Sequence, residues 1–367
     1  MNTRPLVVIT TRLPPQVCGI GTYSWLLHQH WPGDVSSAQF LVVDGAIESV
    51  AELDFSNVAE FNANAAKLSR ALDRIGAADL LLHYAGRAYH RYGCPIWLPS
   101  VLVRWRAKFR SARLLVFFHE LPSNLPVTSR HYWIDMCNRR VIRKLSKIAD
   151  AVVTNTSEHA KKLEQISGRA DIHWLPVPSN ILATPVSLGP RGRTEFVIFG
   201  LPFGRWQTLQ LFDAEIRSWQ ESGHLTRVHL IGPRDQKFDA RSDQLINGWR
   251  NPNIVMRRGM LPAADISRLL SRAQFGLSNA TVENWGKSTV FMAFASHGCA
   301  VVSKAKSETA PLRFTVAPDE LVTMSDVDLG ERTKALRLWY EQHAHWNVIA
   351  RKISALFPDK VTQTAVV

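Results

Sequence analysis

Charge, glycine and a helix start come together between Ser278 and Ser303, where the chain reads SNATVENWGKSTVFMAFASHGCAVVS. A short apolar run (Phe275, Gly276, Leu277) leads into a polar loop that holds one carboxylate, Glu283, followed by Asn284, Trp285 and Gly286. Lys287, Ser288 and Thr289 read as the first turn of a helix with a mostly apolar body (Val290, Phe291, Ala293, Phe294, Ala295). Gly298 ends that helix, and Ala300 to Val302 read as the next strand. A loop between strand and helix lies at the carboxyl edge of a parallel sheet, where ligands bind. The helix start there offers free N–H groups and the positive end of a dipole, which suit a phosphate. Gly286-Lys287-Ser288 also resembles the end of an ATPase phosphate loop, but Thr281 stands where that motif needs its first glycine, so this reading is rejected.

The elements that would position such a loop recur along the chain. Leu6 to Thr10 (LVVIT) reads as a buried strand. After Pro14 and Pro15, Gly19 and Gly21 permit close backbone approach, and Thr22 or Ser24 is a candidate helix start. Further strands are expected at Phe40–Val43, Asp79–His83, Arg113–Phe118, Ala151–Asn155 and Ile172–Leu175, with Ser157 capping a helix between the last two. The loop YAGRAYHRYGCP after the Asp79 strand is rich in aromatic, Arg and His residues, which suits carbohydrate or a lipid headgroup and suits an ordinary surface loop equally. His119 ends the Arg113 strand, where either a ligand contact or a structural histidine fits. A Pro-rich stretch (Pro176, Pro178, Pro185, Pro190) then interrupts the pattern. Strands restart at Glu195–Gly200, Arg227–Ile231, Asn253–Met256 and Gln274–Ser278, alternating with helices at Leu209–Gln220, Ala240–Trp249 and Ala263–Ser271. Leu329 to Phe357 reads as helical. Two such series predict an α/β protein of two doubly wound domains facing a cleft.

A chain of 367 residues, 46% apolar and 20% charged, fits a folded two-domain protein. The net charge of +13 favours anionic partners such as nucleotide diphosphates or an anionic membrane surface. A nucleic-acid partner is excluded because charge alone supports it and no DNA or RNA motif is present. Arg104, Arg106, Lys108 and Arg110 interleave with Trp97, Trp105 and Phe109; this is either a helix lying on an anionic bilayer or a solvated basic face with its aromatics in the core. A second basic cluster runs from Arg139 to Lys147. Cys18, Cys94, Cys137 and Cys299 form no C-x-x-C pair, and they are expected to be reduced thiols of a cytoplasmic protein without a signal peptide.

The order of these pieces resembles the retaining glycosyltransferases of GT-B fold, and among them the large family 4. The resemblance rests on GIGTY after the first strand, ADAVVTNTSEHA, LPVPSN before the linker, and the late strand–E-x-x-G–helix–HGCAVVS unit. It covers nearly the whole chain and implies the GT-B fold of two Rossmann-like domains. An N-terminal acceptor-binding domain is expected over 1–180, a linker over 181–193, and a nucleotide-sugar domain over 194–345. The helix and tail of 346–367 are expected to pack back on the first domain. The resemblance places Gly19, Ile20 and Gly21 near the donor phosphates and sugar, His119 on the sugar at the reaction centre, and Glu283 on the hexose hydroxyls. Trp285, Gly286, Lys287 and Ser288 would hold the diphosphate, with Arg205 as the cation nearest the first strand of the second domain. His83, Tyr84 and Arg87 are the candidate acceptor contacts.

Two positions depart from the family. The second Glu of its E-x7-E motif falls on Phe291, and its Arg and Lys after the first strand of the second domain are out of register. The expectation is therefore a metal-independent retaining hexosyltransferase with no bound cofactor. Its co-substrate would be a nucleotide-diphosphate sugar. Its acceptor would be a glycan or lipid-linked glycan in surface polysaccharide or glycoconjugate assembly, with peripheral contact to an anionic membrane. The alternative is a non-catalytic GT-B subunit that binds a partner glycosyltransferase or a glycan.

Overall fold

The computed structural model describes residues 4–14, 16, 18–33, 38–43, 58–60, 64–122, 126–129, 131–183 and 192–357. The chain forms two compact units: one runs to Pro176 and resumes at Trp346, and the other is Val177–His345.

The first unit contains β1 (Leu6–Thr10), α1 (Gly19–Gln29), β2 (Gln39–Val42), β3 (Val58–Glu60), α2 (Ala65–Ile75), β4 (Asp79–Tyr84) and α3 (Gly86–Tyr89). It continues with α4 (Trp97–Lys108), β5 (Arg113–Phe118), α5 (Tyr132–Ile148), β6 (Ala151–Thr154), α6 (Ser157–Ser167) and β7 (Ile172–Trp174). The strands pair in parallel in the order β3-β2-β1-β4-β5-β6-β7. Continuous apolar runs such as LVVIT and RLLVFF make these strands because helices cover both faces of the sheet. Side chains alternate between the faces: Leu80, Leu82, Tyr84, Leu114, Val116 and Phe118 join a core with α2, α4, α5 and α6. The opposite parity gives Phe117 to the face where Tyr23 of α1 packs, and Trp346 stands 5.1 Å from Tyr23.

The second unit contains β8 (Gly192–Phe199), α7 (Pro202–Leu211), α8 (Asp213–Glu221), β9 (Arg227–Ile231), α9 (Gln236–Ile246) and β10 (Val255–Gly259). It continues with α10 (Ala263–Arg272), β11 (Ala273–Ser278), α11 (Thr289–His297), β12 (Ala300–Ser303) and α12 (Asp326–His343). Its parallel sheet has the order β10-β9-β8-β11-β12. The single helix expected over Leu209–Gln220 is two helices, with Phe212 between them at φ −105° and ψ 12°. The helix α13 (Trp346–Ser354) then rejoins the first unit against α1.

The expected basic helix is α4, and its aromatics face inward. Trp105 is buried with its indole N–H on the Gly76 carbonyl at 2.9 Å, and Trp97 and Phe109 pack on the same core. Arg106 pairs with Asp150 and Lys108 with Asp73. The bilayer reading of this helix is thereby corrected, since it has no aromatic face to insert. Among the described residues no helix is long and apolar enough to cross a membrane.

Candidate functional site

In both sheets the strand order reverses once, between β1 and β4 and between β8 and β11. Open α/β sheets bind ligands in the crevice outside the carboxyl ends of the strands at such a switch point. Most of the expected site residues fall on these two edges.

At the second switch point the loops after β8, β9 and β11 converge. Asn279 Nδ2 reaches the Gly204 carbonyl at 3.5 Å, and a Cβ on Gly200 would meet the Val290 side chain at 3.3 Å. Two helices begin here. Helix α7 starts at Pro202, which suits the first helical position because its missing N–H has no intrahelical partner to lose. Leu201 provides no side-chain cap, so the amides of Phe203 and Gly204 have no acceptor among the described residues. Helix α11 is capped by Ser288, whose Oγ accepts the Phe291 N–H at 3.2 Å. A helix start at Leu209 leaves the α7 amides out, and Pro202 is the sequence signal that marks the true start.

The expected donor residues divide by environment. Glu283 and Lys287 are exposed. A hydrogen bond from Thr281 holds the Glu283 carboxyl below its ordinary range, so it is an acceptor only. Lys287 is corrected in one respect: it lies in a 3₁₀ turn, Trp285–Lys287, ahead of the α11 cap, and not in the first helical turn. The Val177 N–H pins this turn by donating to the Gly286 carbonyl at 2.7 Å. Trp285 packs between Phe291 and Trp339. Phe291 is fully buried.

Arg205, the cation expected to meet the donor, is engaged within the fold. Only 6% of it is exposed, and its terminal nitrogens donate to the Gly200 and Pro233 carbonyls at 2.6 and 2.7 Å. Burial pushes its pKa down, and Asp239 at 3.9 Å opposes that shift. Its guanidinium ties the β8 loop to the β9 loop. Gly232, at φ +139°, leaves room for it, since a Cβ there would collide with the Gly200 carbonyl and the Arg205 guanidinium. Asp326 and Asp328, spaced like a metal-binding pair, instead open α12, with Ser325 accepting the Asp328 N–H and donating to its carboxylate.

At the first switch point, Gly19, Ile20 and Gly21 are the first turn of α1 and not a loop preceding it. Gly21 has a structural cause: a Cβ there would fall far inside 3.0 Å of the Arg12 carbonyl oxygen. Gly19 meets nothing within 4 Å. Cys18, the α1 cap residue, gives no side-chain cap bond, so the Gly19 and Ile20 amides are without acceptors among the described residues.

The expected acceptor residues lie in different surroundings. His83 lies on β4 as expected, and Tyr84, expected to open the loop, is the last residue of that strand; both are buried. Tyr84 donates to Asn138 Oδ1 at 2.6 Å, while Arg87 is exposed on α3. His83 lies on the sheet face shared with Phe117 and His119. Its Nδ1 is 2.8 Å from His119 Nε2, and Tyr23 stands edge-on to both rings. Burial holds the His119 pKa at about 3; burial and then the His119 charge hold His83 well below its usual range. Both rings are therefore neutral at pH 7. The loop that follows is fastened by a bond that corrects the reduced-thiol expectation: Cys94 and Cys137 form a disulfide, while Cys18 and Cys299 are free. The two are 43 residues apart, on the segment before α4 and on α5, so no local spacing announces them. Thr156, not Ser157, caps α6.

No protein-family model and no curated protein matches the chain. Among solved structures it is similar to a sucrose-phosphate synthase from Thermosynechococcus elongatus, with a TM-score of 0.68 and 14% identity over 96% of this chain and 98% of that one. A glycosyltransferase from Rickettsia africae gives the same TM-score, 0.68, at 13% identity over 97% and 98% of the two chains. A UDP-forming α,α-trehalose-phosphate synthase from Burkholderia xenovorans aligns at 0.63 and 11% identity over 97% and 99%. TarM aligns at 0.57 and 13%, over 80% of this chain and 58% of its own. The fold shared with these proteins is the GT-B fold.

Proposed function

We propose that the chain is a glycosyltransferase that takes a sugar from a nucleotide-diphosphate donor, with retention at the anomeric carbon and without a metal. The observation that carries this reading is the second switch point, where helix α7 opens on the uncapped amides of Phe203 and Gly204 and the loop after β11, which holds the exposed Lys287, meets that helix start through Asn279 and Gly204. Such donors stabilise the negative charge that grows on a leaving diphosphate, and one well-placed donor is worth about 10²–10³ in turnover. Glu283 would accept hydrogen bonds from the donor's hydroxyls. For the first unit taken by itself, the amides of Gly19 and Ile20 and the His119 ring are proposed as sugar and phosphate contacts at its own switch point.

In the reaction we propose, the acceptor oxygen bonds to the anomeric carbon on the face the diphosphate leaves. The C–O bond to the phosphate breaks, and the leaving phosphate oxygen takes the acceptor's proton. Positioning and charge stabilisation are then the protein's main work. The trehalose-phosphate synthase of similar fold is UDP-forming and a TarM mutant has been solved in complex with UDP, so UDP-sugars are the first donors to try. The acceptor proposed is a glycan or lipid-linked glycan. The Cys94–Cys137 disulfide bears against a reducing compartment.

A second reading, a non-catalytic subunit that binds a partner enzyme or glycan, draws on the fully buried Phe291 and the engaged Arg205. A calorimetric titration with UDP-, GDP- and ADP-sugars, followed by donor turnover with and without membranes, separates the two. Tight donor binding with turnover supports the transferase. No heat from any donor supports the second reading.

A further inference from the structure

We propose that His83 is a positioning residue: its Nδ1–H donates to His119 Nε2, so that His119 turns an Nδ1–H donor, and not a basic nitrogen, toward its ligand. This rests on the reading that His119 meets the sugar. The pairing follows from strand parity. His83 and Phe117 are register partners on β4 and β5, and His119 continues the same face two residues further on. The 2.8 Å separation of His83 Nδ1 and His119 Nε2 admits one proton between two neutral rings.

Two arrangements exist. If His119 held that proton, His83 would carry its own on Nε2, an atom that is fully buried and has no partner. An orphaned buried N–H donor is costly and rarer than an under-satisfied acceptor. The proton therefore belongs to His83 Nδ1, and His119 carries its own on Nδ1. Asn155 fixes the ring's backbone by donating to the His119 carbonyl at 3.2 Å. With Nε2 occupied, His119 has no lone pair to take a proton from an acceptor hydroxyl.

The test is ¹⁵N NMR of the histidine rings at pH 7 in the intact protein, with signals assigned through the variants. The expected spectrum has protonated Nδ1 and bare Nε2 in both rings. In His83→Phe, His119 loses its donor and moves toward the Nε2–H tautomer. In His83→Asn, whose amide can still donate, the wild-type tautomer returns. Where donor turnover is measurable, kcat/KM falls about 10–100-fold in His83→Phe, as expected for one misdirected hydrogen bond, and recovers in His83→Asn. An Nε2–H His119 in the wild type overturns the proposal, as does an unchanged His119 tautomer in His83→Phe. If His83→Phe does not fold, the wild-type spectrum decides alone. Loss of the transferase reading would leave the NMR result untouched, so the two failures are distinguishable.

Discussion

Gly19 and Gly21 stand two residues apart in the same helical turn, and the structure gives them opposite sensitivities. A methyl at Gly21 would overlap the Arg12 carbonyl oxygen far inside the 3.0 Å that Cβ contacts keep, and the obstacle is backbone, which cannot rotate away. Either α1 shifts along β1 or the Thr11–Leu13 segment moves, in a region where Thr10 and Ser24 are held together at 2.7 Å. Overpacking of this kind costs about 1–3 kcal/mol and sometimes more. For a folding unit of 150–250 residues, each kcal/mol lowers the melting temperature by about 2–4 °C. Gly21→Ala should therefore lower the first unit's transition by about 2–12 °C in a calorimetric scan. Gly19→Ala should leave it unchanged or raise it slightly, because alanine is the better helix residue by up to about 1 kcal/mol. If Gly19 borders the donor, Gly19→Ala should instead reduce turnover. Equal melting temperatures for wild type and Gly21→Ala would refute the close approach to Arg12.

Arg205→Ala removes two buried charge-assisted bonds, so it should destabilise the second unit by about 3 kcal/mol or more, read as a lower denaturation midpoint. Lys287→Ala should leave the melting temperature within experimental error and reduce donor turnover about 10–150-fold, the equivalent of one hydrogen bond to a charged group. Phe291→Glu recreates the family's second carboxylate at a fully buried position; it should lower stability by several kcal/mol without tightening nucleotide binding in calorimetry. Because burial depresses the pKa of both His83 and His119, the unfolded chain binds more protons than the folded one below about pH 6.5. Stability should therefore fall on acidification from there, by up to about 1.4 kcal/mol per pH unit for each ring, and His119→Phe should flatten the slope in pH-dependent urea melts.

The strands were the most legible part of the sequence. LVVIT, RLLVFF and AVVT are apolar without alternation, the mark of a sheet covered on both faces, and each is a strand of the first unit. The loop of Glu283 was legible for the same reason, since it follows a strand and precedes a capped helix. Contacts across the fold were not. Whether Arg205 is free depends on carbonyls 5 and 28 residues away, and the disulfide on a partner 43 residues away. Tyr84 reads as the first residue of a loop because β4 runs one residue beyond the expected strand end at His83. Gly21 looked like a ligand glycine because glycine's need for space is the same whether a phosphate or a carbonyl approaches.

The return of α13 to the first unit has a consequence for synthesis. The second unit is an uninterrupted stretch, Val177–His345, placed within the first. Emerging from the ribosome, the N-terminal sheet must wait with its Tyr23 face uncovered until Trp346–Ser354 has been made. The later-made unit can close first. Domains usually fold in the order of their synthesis; here the earlier one finishes last.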